Sequence, residues 1–255
     1  MAFEKSYLIP PENLLKSYAV TAEQFREHGY GFVYEFLVKR ARLLQNERVL
    51  DLGCGPGHHA RPLADYLTDS GSFEGLDIGS DAIDFCKTAY ASHKNFKFTH
   101  ADIHNEHYNP KGRLQQHDYK LPFTDAEFDL VYAVSLFTHL LPHELMSYLA
   151  EIRRVVKPNG RFVATFFLIN AASLANMAND ESRTRFRFPY AYGTHRLSST
   201  EDRAAGVAYE EVWLQNMFRQ NGLRACEITY GTWSGERDML QSLQDIVLAV
   251  PSTRV

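Results

Sequence analysis

The chain has few cysteines, no long apolar run and no strong excess of either charge, and each shortage removes a class of function. Three cysteines in 255 residues, Cys54, Cys86 and Cys226, are an odd number at no short spacing. That argues against a disulfide framework or a thiolate zinc site and suits a reducing cytoplasm. The longest apolar-rich run, residues 162–169, is far too short to cross a bilayer. The opening residues, MAFEKSYLIPPENL, are charged and lack the apolar core of a signal peptide. The expectation is therefore a soluble, cytoplasmic protein with no membrane partner. A net charge of -4, with 11 histidines counted neutral, leaves no basic footprint, which argues against nucleic acid as a partner. What is present is ordinary for a globular protein, 45% hydrophobic and 23% charged, and long enough for one large α/β domain with a buried core.

After Pro10-Pro11, residues 12–44 carry a helical apolar stripe that includes Phe25, Phe32, Phe36 and Leu37. Gly29 and Gly31 interrupt it, so the pattern predicts two short helices with a break near Gly29. From Arg48 strand-like runs at 49–52, 73–77, 96–101, 128–134 and 161–168 alternate with helical stretches at 58–68, 80–92 and 142–156. The last stretch is the clearest: Pro142 near its start, then Leu145, Leu149, Ile152 and Val156, with Lys157-Pro158-Asn159-Gly160 as the turn that ends it. Such alternation needs crossover connections and builds a parallel sheet with helices on both faces. Residues 170–207 break the rhythm, being polar, Arg-rich and interleaved with aromatics. A helix over 209–220 and strands near 224–230 and 243–250 follow.

Between the first strand and first helix stands Asp51-Leu52-Gly53-Cys54-Gly55-Pro56-Gly57-His58-His59. Its glycines let the backbone turn tightly beside a ligand, at the sheet edge where doubly wound folds bind ligands. A dinucleotide needs G-x-G-x-x-G and a pyrophosphate on the helix N-terminus. Here the spacing is G-x-G-x-G and Asp51 would repel a pyrophosphate. S-adenosylmethionine carries an ammonium and a sulfonium, which an anion favours. Asp77, ending the second strand, suits a ribose diol. Asp102, ending the third, could accept from an adenine amino group.

These motifs resemble the class I S-adenosylmethionine-dependent methyltransferases, from about residue 48 to 168 and more weakly through 250. The resemblance includes Leu121-Pro122-Phe123 before Phe128-Asp129-Leu130-Val131, and Val155-Val156-Lys157-Pro158-Asn159-Gly160-Arg161. It implies a Rossmann-like, doubly wound sheet of seven strands, mostly parallel with one antiparallel strand. It also implies S-adenosyl-L-methionine as cofactor, bound by Asp51, Gly53, Cys54, Gly55, Gly57, Asp77, Ile78, Asp102, Ile103 and Ser135. The segment Phe25-Arg26-Glu27-His28-Gly29 looks like an N-terminal cover over the methionine tail, with Gly29 in the site. The expected division of one domain is a helical cover over 1–45, a cofactor-binding core over 46–169, a lid insertion over 170–207 and a closing unit over 208–255.

Methyl transfer from a sulfonium is an in-line displacement for which the protein mainly supplies alignment and a dry pocket. A hydroxyl acceptor also benefits from a base, a role that suits histidine. His139, in Ser135-Leu136-Phe137-Thr138-His139-Leu140, is the first candidate; His143, four residues on, is the second, and His195 the third. A packed or capping His139 is the competing reading. His58, His59, His100, His104 and His107 invite a metal reading, but the segment around them reads as loop and no metal is expected. In 183–192 arginines alternate with aromatics; if extended, Phe186, Phe188, Tyr190 and Tyr192 would share one face, suited to planar or sugar-like acceptors, although a lid strand whose aromatics pack on the core while the arginines are solvated is the favoured reading. Tyr230-Gly231-Thr232-Trp233-Ser234-Gly235 resembles the tail of bacterial tailoring methyltransferases acting on sugars and secondary metabolites. The leading expectation is O-methylation of a small-molecule acceptor, natural product or sugar-containing. N- or C-methylation, a NAD(P)-dependent oxidoreductase and a non-catalytic donor-binding module are the alternatives. A homo-oligomer stays open.

Overall fold

Arg48–Leu52 has the near-continuous apolar character of a strand covered on both faces, and in the computed structural model it forms β1 near the middle of a seven-stranded sheet. The structure describes residues 8–18, 20–105, 108–116, 119–179, 186–235 and 242–252. β2 (Ser72–Asp77), β3 (Phe96–His100), β4 (Phe128–Ala133) and β5 (Val156–Phe166) run parallel to β1. β10 (Leu223–Thr229) and β11 (Asp245–Pro251) complete the order β10–β11–β5–β4–β1–β2–β3. β11 is antiparallel to both its neighbours, the one reversed strand that was expected. β5 begins five residues earlier than the sequence pattern indicates: the turn residues 157–160 lie within it, where its register against β4 shifts between Phe128 and Leu130.

Helices cover both faces and divide the core in two. On one face α5 (Pro142–Val155) and α7 (Glu211–Gln220) pack Leu145, Leu149, Ile152, Leu214 and Phe218 against β4 and β5. On the other, α3 (Ala60–Tyr66) and α4 (Ser80–Ala89) bring Leu63, Ile83 and Cys86 onto β1 and β2, with Val33, Phe36 and Leu37 from the N-terminal region. Leu145, Leu149 and Ile152 are wholly buried, each contributing roughly 1.5–3 kcal/mol of burial free energy. Their spacing is why this helix was legible in the sequence.

The N-terminal helices differ from the reading in one respect. α1 (Glu12–Ser17) and α2 (Ala22–Phe32) are separated at residues 18–21, and α2 runs unbroken through Gly29 into a wider π-helical stretch, Val33–Arg40. Thr21 explains the start of α2: its hydroxyl accepts from the Gln24 N–H, and the Gln24 side chain accepts from the Thr21 N–H. Gly29 serves close approach instead of a break. A Cβ there would stand 2.4 Å from the His58 carbonyl oxygen, so glycine lets α2 lie directly on the loop that follows β1.

The described residues of the insertion are structured. β6 (Leu168–Ile169), β7 (Tyr190–Ala191), β8 (His195–Leu197) and β9 (Val207–Glu210) form a second sheet in the order β6–β9–β8–β7, and α6 (Ala171–Ala178) follows β6. Its aromatics do not share a face. Phe188 is buried, its ring 5.0 Å from Phe167 and 5.5 Å from Trp233, whereas Tyr190 and Tyr192 are exposed. Arg183 and Arg185 lie outside the described residues. Asp245, at the start of β11, ties the small sheet to the large one. It accepts from the backbone N–H of Leu168 and Gly231 and from the Trp233 indole, all at 2.7 Å. Burial nevertheless pushes its carboxyl up to about 7, the three donors only partly offsetting the loss of water.

Candidate active site

The carboxyl ends of β1, β2 and β4 meet at one edge of the sheet, and the glycine loop rises from β1 between them. Gly53, Gly55 and Gly57 all have positive φ, 82°, 50° and 86°, a region that side chains with a Cβ rarely enter. The N–H groups of Gly53 and Cys54 donate to the Leu76 carbonyl, anchoring the loop to β2. Cys54 is buried, and a Cβ on Gly75 would lie 2.9 Å from its Sγ.

Asp51 is fully buried just before the loop. Its Oδ2 accepts from the Tyr132 hydroxyl at 2.8 Å, while its Oδ1 has no hydrogen-bond partner. Tyr132 stands opposite Asp51 in the β1–β4 register, a pairing invisible before the strands were aligned. Burial drives the Asp51 carboxyl up to about 8, with the Tyr132 bond opposing and the Asp77 charge adding. An orphaned carboxylate oxygen without water is costly, and a cationic ligand group is what relieves it. The residues present thus fit a donor with an ammonium and a sulfonium.

Asp77 is buried at the end of β2. Its Oδ2 accepts from the Gly55 N–H at 2.7 Å, and its Oδ1 from the Gly79 N–H at 2.7 Å and the Tyr18 hydroxyl at 3.4 Å. Burial raises its pKa, and the two backbone donors oppose that rise. Ile78 is partly buried, and its carbonyl meets His100 Nε2 at 3.0 Å. Asp102 lies on the exposed flank of the site, paired with Arg113 and 3.4 Å from the Asn109 amide; the Arg113 guanidinium holds its carboxyl below the usual range. Ile103 is buried. Gly29 and Phe25 reach the site through His58, whose ring stacks on Phe25 at 5.0 Å.

Beyond β4 the chain turns sharply. Ser135 is a non-glycine residue at φ 56°, its N–H donating to Thr165 Oγ1 and its hydroxyl to the Gln244 side chain. Such strain is tolerated where the surroundings fix the turn. Residues Phe137–His139 then form a 3₁₀ turn. His139 Nδ1 is 2.7 Å from the Ala204 carbonyl in the insertion, and its Nε2 is 3.3 Å from the Tyr108 hydroxyl. A carbonyl can only accept, so Nδ1 carries the hydrogen, and in the neutral ring Nε2 presents its lone pair. His143 is exposed on the first turn of α5. His195 is buried in the small sheet, its Nε2 without a partner and its pKa lowered by burial and by Arg203. His107 lies outside the described residues, and among those described no group of three His, Cys, Asp or Glu could hold a metal. Tyr18, Tyr108, Tyr132 and Ala204 carried no motif; tertiary contact alone brings them to the site.

Residues 50–164 match the model of a family described as a methyltransferase domain. An O-methyltransferase of Penicillium expansum is 24% identical over 194 residues, covering 72% of this chain and 55% of the relative. A second O-methyltransferase, from Aspergillus sclerotiorum, is 26% identical over 188 residues, covering 72% of this chain and 57% of its own. The chain thus spans little more than half the length of these curated relatives. A 1,6-didemethyltoxoflavin-N1-methyltransferase of Burkholderia thailandensis, solved with 1,6-didemethyltoxoflavin and S-adenosylhomocysteine, shares the fold at TM-score 0.56 and 14% identity, covering 91% of this chain and 80% of the other. Residues 50–164 are thus similar to a methyltransferase domain, and the chain is similar in fold to a methyltransferase of known structure. Among the described residues no helix is long and apolar enough to cross a membrane.

Proposed function

We propose that the chain methylates a hydroxyl of a small molecule, with His139 as the base. The observation that carries this reading is the tautomer of His139, whose Nδ1–H is committed to the Ala204 carbonyl, so that Nε2, beside the Tyr108 hydroxyl, is the proton-accepting nitrogen. Such an orienting bond is how a histidine is prepared as a base. The kinship to fungal O-methyltransferases supports the hydroxyl over other acceptors.

When bound, S-adenosylmethionine supplies a methyl group already activated for displacement. Asp51 offers its unpartnered oxygen to the donor's cationic end, Asp77 its carboxylate to the ribose, and residues 53–57 the tightly turned floor. Asp102, Ile103 and Ile78 lie toward the adenine end, and Ser135 forms the wall from which the 3₁₀ turn carries His139. His139 Nε2 would take the acceptor hydroxyl's proton, leaving that oxygen to receive the methyl group in exchange for the donor's sulfur. His143, exposed at the start of α5, has a secondary role at most. The small sheet over 168–210 acts as the lid, where Tyr190 and Tyr192 present exposed aromatic faces to an acceptor.

The test is transfer of labelled methyl from S-adenosylmethionine to a panel of small phenols, hydroxylated sugars and amines. Label in a hydroxylated product, reduced roughly hundredfold by His139→Ala with S-adenosylhomocysteine binding intact, is the expected outcome. Label confined to amines and indifferent to His139→Ala would establish N-methylation instead.

A further inference from the structure

Tyr18 lies across the carboxylate that the donor's ribose needs. Its ring edge stands 3.0 Å and 3.3 Å from the position a Cβ on Gly55 would take, and its hydroxyl 2.5 Å from that of a Cβ on Gly79. The side chain therefore bridges the glycine loop and the start of α4, with Asp77 beneath it. The backbone just before it is held by Leu14 and Leu15, both buried, and the Tyr18 N–H donates to the Leu15 carbonyl.

Counting acceptor sites on Asp77 shows the conflict. An ionised carboxylate offers about four lone-pair positions. The Gly55 N–H, the Gly79 N–H and the Tyr18 hydroxyl fill three of them. A ribose diol brings two donors to the one position left. The Gly55 and Gly79 bonds, at 2.7 Å, belong to the loop and the helix start and hold the local backbone together. The Tyr18 bond, at 3.4 Å, is the longest of the three and comes from a side chain that can turn away by rotation about its own bonds.

We infer that Tyr18 is a built-in competitor for the ribose seat: its hydroxyl occupies Asp77 in the empty enzyme and gives way when the adenosyl ligand enters. This rests on the reading of Asp77 as the ribose carboxylate. The consequence is a donor site that stays capped without ligand and binds both donor and demethylated product less tightly than its contacts alone would allow. Product departure is then assisted by a side chain of the enzyme itself, which reclaims the carboxylate as the ribose leaves.

The test is calorimetric and stopped-flow binding of S-adenosylhomocysteine to the full chain and to its Tyr18→Phe and Tyr18→Ala variants. Tyr18→Phe keeps the ring packing and removes only the competing hydroxyl. It should tighten binding by roughly three- to tenfold, mainly through faster association. Tyr18→Ala should accelerate association further. A Tyr18→Phe variant that binds equally or less tightly, while the wild type binds, would overturn the competitor role and leave Asp77 as the ribose carboxylate. Failure of every variant to bind would remove the Asp77 reading itself, and the inference with it. Binding that appears only in the variants would be its strongest support.

Discussion

Asp51→Asn is the perturbation in which stability and ligand binding should move in opposite directions. The wild-type carboxyl titrates near 3.8 in the unfolded chain and about 8 when buried beside Tyr132. A carboxyl whose folded pKa is raised contributes stability that is intact below the unfolded value and lost as pH rises toward the folded one. Each pH unit in that window is worth about 1.4 kcal/mol. Keeping Asp51 buried thus costs about 2 kcal/mol at pH 5 and about 4 kcal/mol at pH 7. The amide does not titrate, although its unpaired buried NH₂ adds a pH-independent penalty of about 1–3 kcal/mol. That constant cancels when the comparison is made across pH. Urea unfolding of both proteins at pH 5, 6 and 7 should show the variant gaining about 2–3 kcal/mol relative to wild type over that range. S-adenosylhomocysteine binding, measured at pH 7 by calorimetry, should meanwhile weaken at least about tenfold, because the amide cannot ionise to meet the ligand's ammonium as the carboxyl can. A stability difference flat with pH would refute the raised pKa. Undiminished binding would refute the assignment of Asp51 to the ligand's cationic end.

Two further outcomes follow from close contacts. Trp233→Phe removes the 2.7 Å indole bond to the buried Asp245 and should cost about 1–3 kcal/mol in urea unfolding, with the loss concentrated in amide-exchange protection of the small sheet. Gly29→Ala forces a Cβ against the His58 carbonyl 2.4 Å away and should destabilise by about 1–3 kcal/mol, while also weakening S-adenosylhomocysteine binding because the glycine loop shifts with His58.

The sequence showed the large sheet well because its signals were local. The helix over 142–155 has Pro142 and a clean apolar stripe, and the glycine spacing marked the loop after β1 as the candidate site, with Asp51 just before it and Asp77 hydrogen-bonded to it. The errors arose where a residue type has two physical uses. Gly29 reads as a helix breaker, yet in the structure its missing Cβ is what lets the helix touch His58. Phe188, alternating with arginines, suits either an acceptor face or a packed lid strand, and it takes the second use, closing a small core with Phe167 and Trp233. The tyrosines of the site were silent for another reason. Tyr132 reaches Asp51 only through the register of β1 and β4, and Tyr18 reaches Asp77 across 59 residues of sequence. A tyrosine in a strand or after a short helix has no periodicity that announces such a partner.

The bond between His139 and Ala204 joins two parts of the molecule with different freedoms to change. His139 stands in the turn that follows β4 of the large sheet, while Ala204 belongs to the segment between β8 and β9, part of the lid in the proposed function. If that segment faces the acceptor as proposed, replacing it would change the substrate. Under the proposed mechanism any replacement, natural or engineered, must still deliver a carbonyl to His139 Nδ1, or the ring can carry its hydrogen on the nitrogen that the base role needs for the acceptor's proton. A chimera with a transplanted lid can therefore fold, bind its donor and seat its new acceptor, yet remain inactive for want of a single backbone oxygen.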